Sequence, residues 1–167
     1  TPFRWSLTAG PAEPTTVAAF CNTVRTPGGG SHLTAAIKGL SEALADRASR
    51  IRDLGLAKGE DGPEPQDFAA VTALAVDTRA PDVGWDSQAK TAVSSRSLNV
   101  AMAPDVARSV NVWAANPANS ETVSLWTKLA LESARARRSA EGAKARSRAP
   151  SKAKGLGTNL SLPPKLL

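Results

Sequence analysis

The stretch that decides the fold is TPGGGSHLTAAIKGLSEAL, residues 26–44. Its three consecutive glycines permit backbone angles that other residues resist, so they predict a tight turn. Directly after the turn, apolar side chains recur at helical spacing: Leu33, Ile37, Leu40 and Leu44. Lys38 and Glu42 stand on the opposite side as an i,i+4 pair. The stretch therefore predicts a turn that opens a helix over about residues 32–48.

Strand patterns lie on both sides of this helix. Phe3, Trp5 and Leu7 alternate with polar residues, which indicates a half-buried strand, and a chain that opens inside a strand suggests a longer parent. Residues 10–14 are turn material, and residues 16–24 predict a second strand paired with the first. After a polar connection over residues 55–65, Pro65 opens a short helical turn and the apolar run 71–76 predicts a buried strand.

The second half of the chain predicts a loop and two helices. Residues 82–93 have no consistent period and are assigned to a loop. Val106, Val110 and Trp113 predict a helix that Asn116-Pro117 terminates. A longer helix begins at Ser120 and is stopped by Pro150. Three tryptophans lie on apolar stripes and are predicted core residues, so no base-stacking site is expected; they are Trp5, Trp113 and Trp126, with Trp85 in the loop.

Length and composition narrow the function classes. A chain of 167 residues suits one domain with an appendage. Cys21 is the only cysteine, so the sequence predicts a reducing, cytoplasmic setting without a disulfide or a cysteine-based metal site. No apolar run approaches the roughly 18 residues that a membrane span needs, so no membrane partner is predicted. The acids form no credible acid/base pair, and no Ser/His/Asp grouping is apparent.

The net charge of +6 is concentrated near the end of the chain. Eight cations lie between residues 135 and 154, against the single acid Glu141. Such a block indicates either a surface attracted to a polyanion or a solvated helix and tail. We favour contacts to the phosphates of double-stranded DNA that read no bases. The predicted DNA-binding residues are Arg135, Arg137, Arg138, Lys144, Arg146 and Arg148.

Four segments, in this order, resemble the gyrase B and topoisomerase IV B-subunit family of type IIA DNA topoisomerases. Residues 20–32 look like the family's strand and Gly-Gly-Thr-His turn, and Asp86-Ser87-Gln88-Ala89-Lys90 looks like its Gln-Thr-Lys loop. Residues 133–148 are similar to its Ala-Arg-Ala-Arg-rich helix, and residues 162–166 resemble the Leu-Pro-Gly-Lys-Leu before its TOPRIM domain. Ala89 and Pro164 depart from the family's usual Thr and Gly.

The resemblance implies a transducer domain with an α/β (α+β) fold. This is the ribosomal protein S5 domain 2-like fold, a mostly antiparallel sheet backed by helices, here with a long C-terminal basic helix. The implied boundaries are a core over 1–118, the basic helix over 119–150, and a linker over 151–167 toward an absent TOPRIM domain. ATP would be bound mostly by a missing upstream domain, with Mg²⁺ in the full-length enzyme. The implied partners are the A subunit of gyrase or topoisomerase IV and a second B subunit.

Lys90 is the candidate catalytic residue. A compact ammonium on a flexible stem can reach terminal phosphate oxygens, and the resemblance implies that Lys90 contacts the γ-phosphate of ATP while Gln88 supports the same loop. The alternative is a solvated surface lysine. The rival function is a stand-alone basic nucleic-acid-binding module, and a further rival, an independent enzyme, would need turnover by this chain alone, which we do not expect.

His32 is a second candidate at the start of the predicted helix. Backbone N–H groups at such a position can bind an anion, but no Gly-Lys-Ser/Thr pattern follows the glycines. We therefore favour a structural, hydrogen-bonding histidine over a phosphate ligand.

Overall fold

The computed structural model describes residues 3–51 and 54–148, and for residues 145–148 it describes the backbone alone. The strands in this part of the chain are β1 (Arg4–Pro11), β2 (Val17–Cys21), β3 (Val24–Arg25) and β4 (Thr72–Arg79). The helices are α1 (Ser31–Ser49), α2 (Pro65–Ala70), α3 (Arg96–Ala115) and α4 (Ser120–Arg148). A 3₁₀ turn over Pro117–Asn119 separates α3 from α4.

The four strands form one sheet in the order β1-β4-β2-β3. The β1–β4 and β2–β3 pairs are antiparallel and the β2–β4 pair is parallel, which confirms a mostly antiparallel sheet backed by helices. The prediction that the second strand pairs with the first is wrong, because β4 lies between them. Parallel neighbours need a crossover connection, and here α1 and α2 supply it between β3 and β4.

In the described part of the chain, the helices cover one face of the sheet and leave the other open. Trp5 and Leu7 of β1 and Leu74 and Val76 of β4 pack into the core with residues of all four helices. The strand predicted over residues 71–76 is confirmed, but it is buried on alternate residues rather than throughout, because its other face is open. In addition, β1 continues through Pro11 into the predicted turn.

Helix α1 is confirmed and packs closely against α3. Gly39 faces the backbone of Ala103, and a Cβ at this glycine would overlap the Ala103 carbonyl oxygen. Lys38 and Glu42 form the predicted pair, with 3.9 Å between Nζ and Oε1. Helix α3 ends before Asn116 as predicted, but it starts well before the apolar stripe that predicted it. It also continues through Pro104, which lies on the exposed side of the helix.

Helix α4 starts at Ser120 as predicted and packs Trp126 into the core, where this side chain is 1% exposed. Trp5 is half-buried, and its indole N–H donates to Asp105 at 2.8 Å. The prediction that Trp113 is a core residue is wrong, because Trp113 lies at the rim with 38% of its surface exposed and its ring at 85° to that of Trp126. The predicted stop at Pro150 and the linker over 151–167 lie outside the described residues.

Candidate functional site

The loop that contains Gln88 and Lys90, residues 84–94, is fixed to the glycine turn by backbone hydrogen bonds. The Gly28 N–H donates to the Thr91 carbonyl at 2.9 Å, and the Val93 N–H donates to the Gly29 carbonyl at 3.1 Å. The Ser31 N–H donates to the Val93 carbonyl at 2.8 Å. The loop is therefore joined to the first residue of α1.

Close approach explains why glycine is required at this turn. Gly29 and Gly30 have φ of 68° and 115°, in the region that favours glycine. A Cβ at Gly30 would also overlap the backbone of Val93, which forms a bridge with Gly30. The sequence signals the turn, but it gives no sign of the backbone that crosses it.

Asp86 organises the inside of the loop. Its carboxylate accepts hydrogen bonds from the Thr91 hydroxyl at 2.6 Å and from the Ala92 N–H at 2.9 Å. The hydrogen bond from Thr91, followed by that from Ala92, lowers the pKa of Asp86 below its usual value. The Lys90 N–H closes a tight turn by donating to the Ser87 carbonyl at 3.1 Å. Asp86 thus joins the two ends of the loop on either side of the turn from Ser87 to Lys90.

Lys90 lies on the exposed side of this turn, together with Gln88 and Ala89. Its backbone is left-handed, with φ of 55°, and its Nζ lies 5.5 Å from the centre of the Trp85 ring. Trp85 is half-buried against Cys21, Val93 and Leu98, so the ring is held by the core. Among the described residues Lys90 forms no ion pair, and its positive charge faces solvent over an aromatic surface.

His32 is fully buried beneath the turn rather than presented on it. Its Nε2 lies 3.3 Å from the Thr26 hydroxyl, while its Nδ1 has no hydrogen-bond partner among the described residues. Burial lowers the pKa of His32 below 6.5, and the opposing effect of the Asp77 charge is smaller. A side chain in this position contacts the turn from inside and is closed off from solvent.

We expect acidification to destabilise the chain through His32. The folded state disfavours the imidazolium, so stability is complete above pH 6.5, the unfolded value, and falls as pH drops below it. The loss reaches at most about 1.4 kcal/mol per pH unit until the folded pKa is passed. Thermal melts at pH 7.5 and 5.5 measure it, with His32→Gln as the variant without the titrating group. His32 is the only histidine in the sequence. An equal melting temperature of the wild-type protein at both pH values would therefore contradict a loss of stability through protonation of His32.

Three of the predicted DNA-binding arginines contact one acidic segment, residues 55–67. Arg135 pairs with both oxygens of Glu60, at 2.7 and 2.9 Å. Arg137 pairs with both oxygens of Asp67, at 2.9 and 3.0 Å. Arg138 donates to the backbone carbonyls of Asp61 and Gly62 at 2.8 and 2.7 Å. The sequence placed a single acid beside the basic block, whereas the fold brings these acids to it from some 70 residues away.

The other predicted DNA-binding residues lie further along α4. Lys144 is exposed, and the side chains of Arg146 and Arg148 are outside the described part of the chain. Within residues 3–51 and 54–148, no group of three or more His, Cys, Asp or Glu residues is placed to hold a metal ion. No helix in this part of the chain has the length and apolar character that a bilayer crossing requires.

The sequence matches a known family over most of its length. The family model of DNA gyrase B matches residues 3–146. The topoisomerase subunit TopoN of Mycolicibacterium smegmatis is 91% identical over 167 residues, which are 100% of this chain and 24% of that protein. The chain thus spans about a quarter of the length of this curated relative.

Two solved structures share the fold. The topoisomerase IV ATP-binding domain of Francisella tularensis superposes with a TM-score of 0.69 at 16% identity, over 81% of this chain and 37% of that one. The 43K ATPase domain of Thermus thermophilus gyrase B gives a TM-score of 0.69 at 20% identity, over 86% of this chain and 38% of that one. The fold, taken with the family model and the TopoN match, defines a domain of the type II topoisomerase B-subunit class. Within that class, the chain belongs to the DNA gyrase B family.

Proposed function

We propose that the chain is the transducer domain of an ATP-dependent type IIA topoisomerase B subunit. It relays ATP binding and hydrolysis to DNA strand passage through the Gln88-Ala89-Lys90 loop. One observation carries the proposal: Lys90 is an exposed cation without an ion pair in the described chain, on a loop bonded to the turn that begins α1. A displacement of Lys90 is therefore passed to α1 through the backbone of Thr91 and Val93.

The site suits a phosphate group. The ammonium of Lys90 rests on the Trp85 ring, and an exposed contact of this kind is worth only about 0.5–1 kcal/mol. Lys90 can therefore leave the ring at low cost when a stronger anionic partner arrives. ATP would supply that partner in its γ-phosphate, held with Mg²⁺ mostly by the upstream domain that the family resemblance implies. Lys90 would bind the phosphate and Gln88, on the same turn, would support the loop.

The rest of the domain links this loop to the basic helix. Helix α1 packs along α3, and α4 is tied to the core by Trp126 and by the Arg137–Asp67 pair. Contact with the phosphate would hold the loop and α1 in one orientation, and hydrolysis would release them. In the same proposal, α4 faces duplex DNA, and the complete subunit acts in the cytoplasm as a homodimer with an A subunit.

The test is Lys90→Ala in the full-length subunit. We expect ATP turnover to fall roughly 100-fold, the usual cost of removing one preorganised group that stabilises developing negative charge. ATP-dependent strand passage should fall with it. Both rates are measured with the A subunit and DNA present.

Arg4→Ala is the matched control, because Arg4 of β1 is an exposed cation that also forms no ion pair in the described chain. It should leave both rates unchanged. Equal turnover by the Lys90→Ala and wild-type subunits would instead favour the rival function, a basic nucleic-acid-binding module with no link to ATP.

A further inference from the structure

The acidic segment, residues 55–67, occupies the hydrogen-bond donors that α4 would offer to DNA. Arg135 directs its Nε and one terminal nitrogen to the two oxygens of Glu60, and the same terminal nitrogen reaches the Gly55 carbonyl at 3.1 Å. Arg138 uses both terminal nitrogens on backbone carbonyls. Paired oxygens about this far from a planar guanidinium are also what a phosphate presents. An arginine cannot give the same N–H groups to both partners at once.

The contacts of the segment with α4 are of two strengths. The inner contact joins Arg137 to Asp67, whose side chain is 1% exposed and also accepts the Glu64 N–H at 2.8 Å at the start of α2. Burial alone would raise the pKa of Asp67, but the hydrogen bonds from Arg137 and Glu64 outweigh it and bring this pKa below its usual value. Glu64 and Glu141 lie near Arg137 as well, at 3.3 and 3.6 Å.

The outer contacts are those of Arg135 and Arg138, and the pair of Arg135 with Glu60 is more accessible than the pair of Arg137 with Asp67. The side chain of Arg135 is 48% exposed and that of Glu60 is 17% exposed. Glu60 lies outside the helices and strands of the described chain, and a Cβ added at Gly55 or Gly59, which have positive φ, would meet nothing within 4 Å. Hydrogen bonds, first from Arg135 and then from the Ala57 N–H, lower the pKa of Glu60 to about 2. Glu60 is therefore ionised near neutral pH.

We propose that residues 55–62 are an internal competitor of DNA phosphate for Arg135 and Arg138, displaced when DNA binds, while the Arg137–Asp67 pair stays closed. The inference rests on the proposed contact of α4 with DNA. The three arginines then have different roles. Arg137 positions α4 on α2, whereas Arg135 and Arg138 exchange an internal partner for a DNA phosphate. Binding of DNA thereby frees a segment that lies between α1 and α2.

Hydrogen exchange in the full-length subunit tests the displacement directly. The Glu60 N–H donates to the Ala57 carbonyl at 2.9 Å and the Ala57 N–H donates to the Glu60 carboxylate at 2.8 Å, so both amides report on the closed segment. We expect saturating duplex DNA at low salt to raise exchange over residues 55–62 about five-fold, a local opening. Exchange in α2 should not change. Unchanged or slower exchange over 55–62 in the DNA-bound subunit would overturn the inference.

A variant pair separates competition from a change in net charge. Glu60→Gln should raise exchange in the segment without DNA and strengthen DNA binding roughly three-fold, in line with the loss of one partly exposed ion pair. Glu42→Gln makes the same charge change on α1, next to Lys38, and should do neither. Equal DNA affinities of the two variants would also contradict the competition.

Arg135→Ala distinguishes the failure of this inference from the failure of DNA binding by α4. Loss of one phosphate contact should lower the slope of log affinity against log salt by about one. If the slope falls but residues 55–62 do not respond to DNA, the inference is wrong and DNA binding by α4 stands. If the slope is unchanged, Arg135 does not contact DNA. In that case both the competition for Arg135 and the proposed DNA contact of Arg135 are wrong.

Discussion

Alanine at Gly30 is expected to destabilise the chain by about 4 kcal/mol, the sum of a strained backbone and an overfilled contact. Gly30 combines φ of 115° with a Cβ position that would overlap the Val93 backbone. The Lys90 loop would have to move away from the turn to relieve this overlap. Chemical denaturation of the wild-type and Gly30→Ala proteins measures the difference in the free energy of unfolding.

Gly59→Ala is the control, since Gly59 has φ of 80° but nothing within 4 Å of the added Cβ. It should cost only about 1 kcal/mol, the backbone strain alone. If Gly30→Ala costs no more than Gly59→Ala, the crossing of Val93 over the turn is not a close contact. If the Gly30→Ala protein stays folded, its ATP turnover in the full-length subunit should fall as in Lys90→Ala, because the loop no longer has its anchor.

The elements of the fold were predictable where one pattern persisted. The spacing of Leu33, Ile37, Leu40 and Leu44 gave α1, and the alternation from Phe3 to Leu7 gave β1. Pairing between strands was not predictable in the same way, because alternation fixes which face a residue takes and not which strand lies beside it. The first half of α3 was not predicted, because the apolar stripe that indicated this helix begins only at Val106, and Pro104 lies inside the helix on an exposed side.

The candidate site divides along similar lines. The family resemblance singled out Lys90, and the structure places Lys90 on an exposed turn with Gln88 and Ala89. The anchoring of this turn on Gly28 to Ser31 was not visible, since it depends on residues some 60 positions apart along the chain. Likewise Glu60 and Asp67 looked like ordinary loop acids, because only the packing of α4 across α2 brings them to arginines. The roles of Lys90 and of the arginines remain predictions.

Alanine at Trp126 is expected to cost about 4 kcal/mol and to loosen α4 from the sheet. Trp126 is the largest fully buried side chain among the described residues, and its indole N–H donates to the Thr72 hydroxyl of β4 at 3.0 Å. Its removal leaves both a cavity and an unused acceptor on Thr72, which itself donates to the Phe68 carbonyl at 2.7 Å. Trp126→Phe keeps most of the volume and should cost less, about 1–3 kcal/mol for the unpaired polar group and the smaller ring.

Trp113→Ala provides the matched control for this prediction. Trp113 packs against Trp126 with 6.4 Å between ring centres but is 38% exposed, so its removal leaves an open notch rather than a closed cavity. We expect a cost near 1 kcal/mol, at the lower end for an apolar side chain that is only partly buried. Equal melting temperatures for the two alanine variants would show that Trp126 does not anchor α4. If a folded Trp126→Ala subunit binds ATP but passes DNA poorly, this result would show that Trp126 couples the Lys90 loop to the basic helix. Helix α4 would then no longer move with the core.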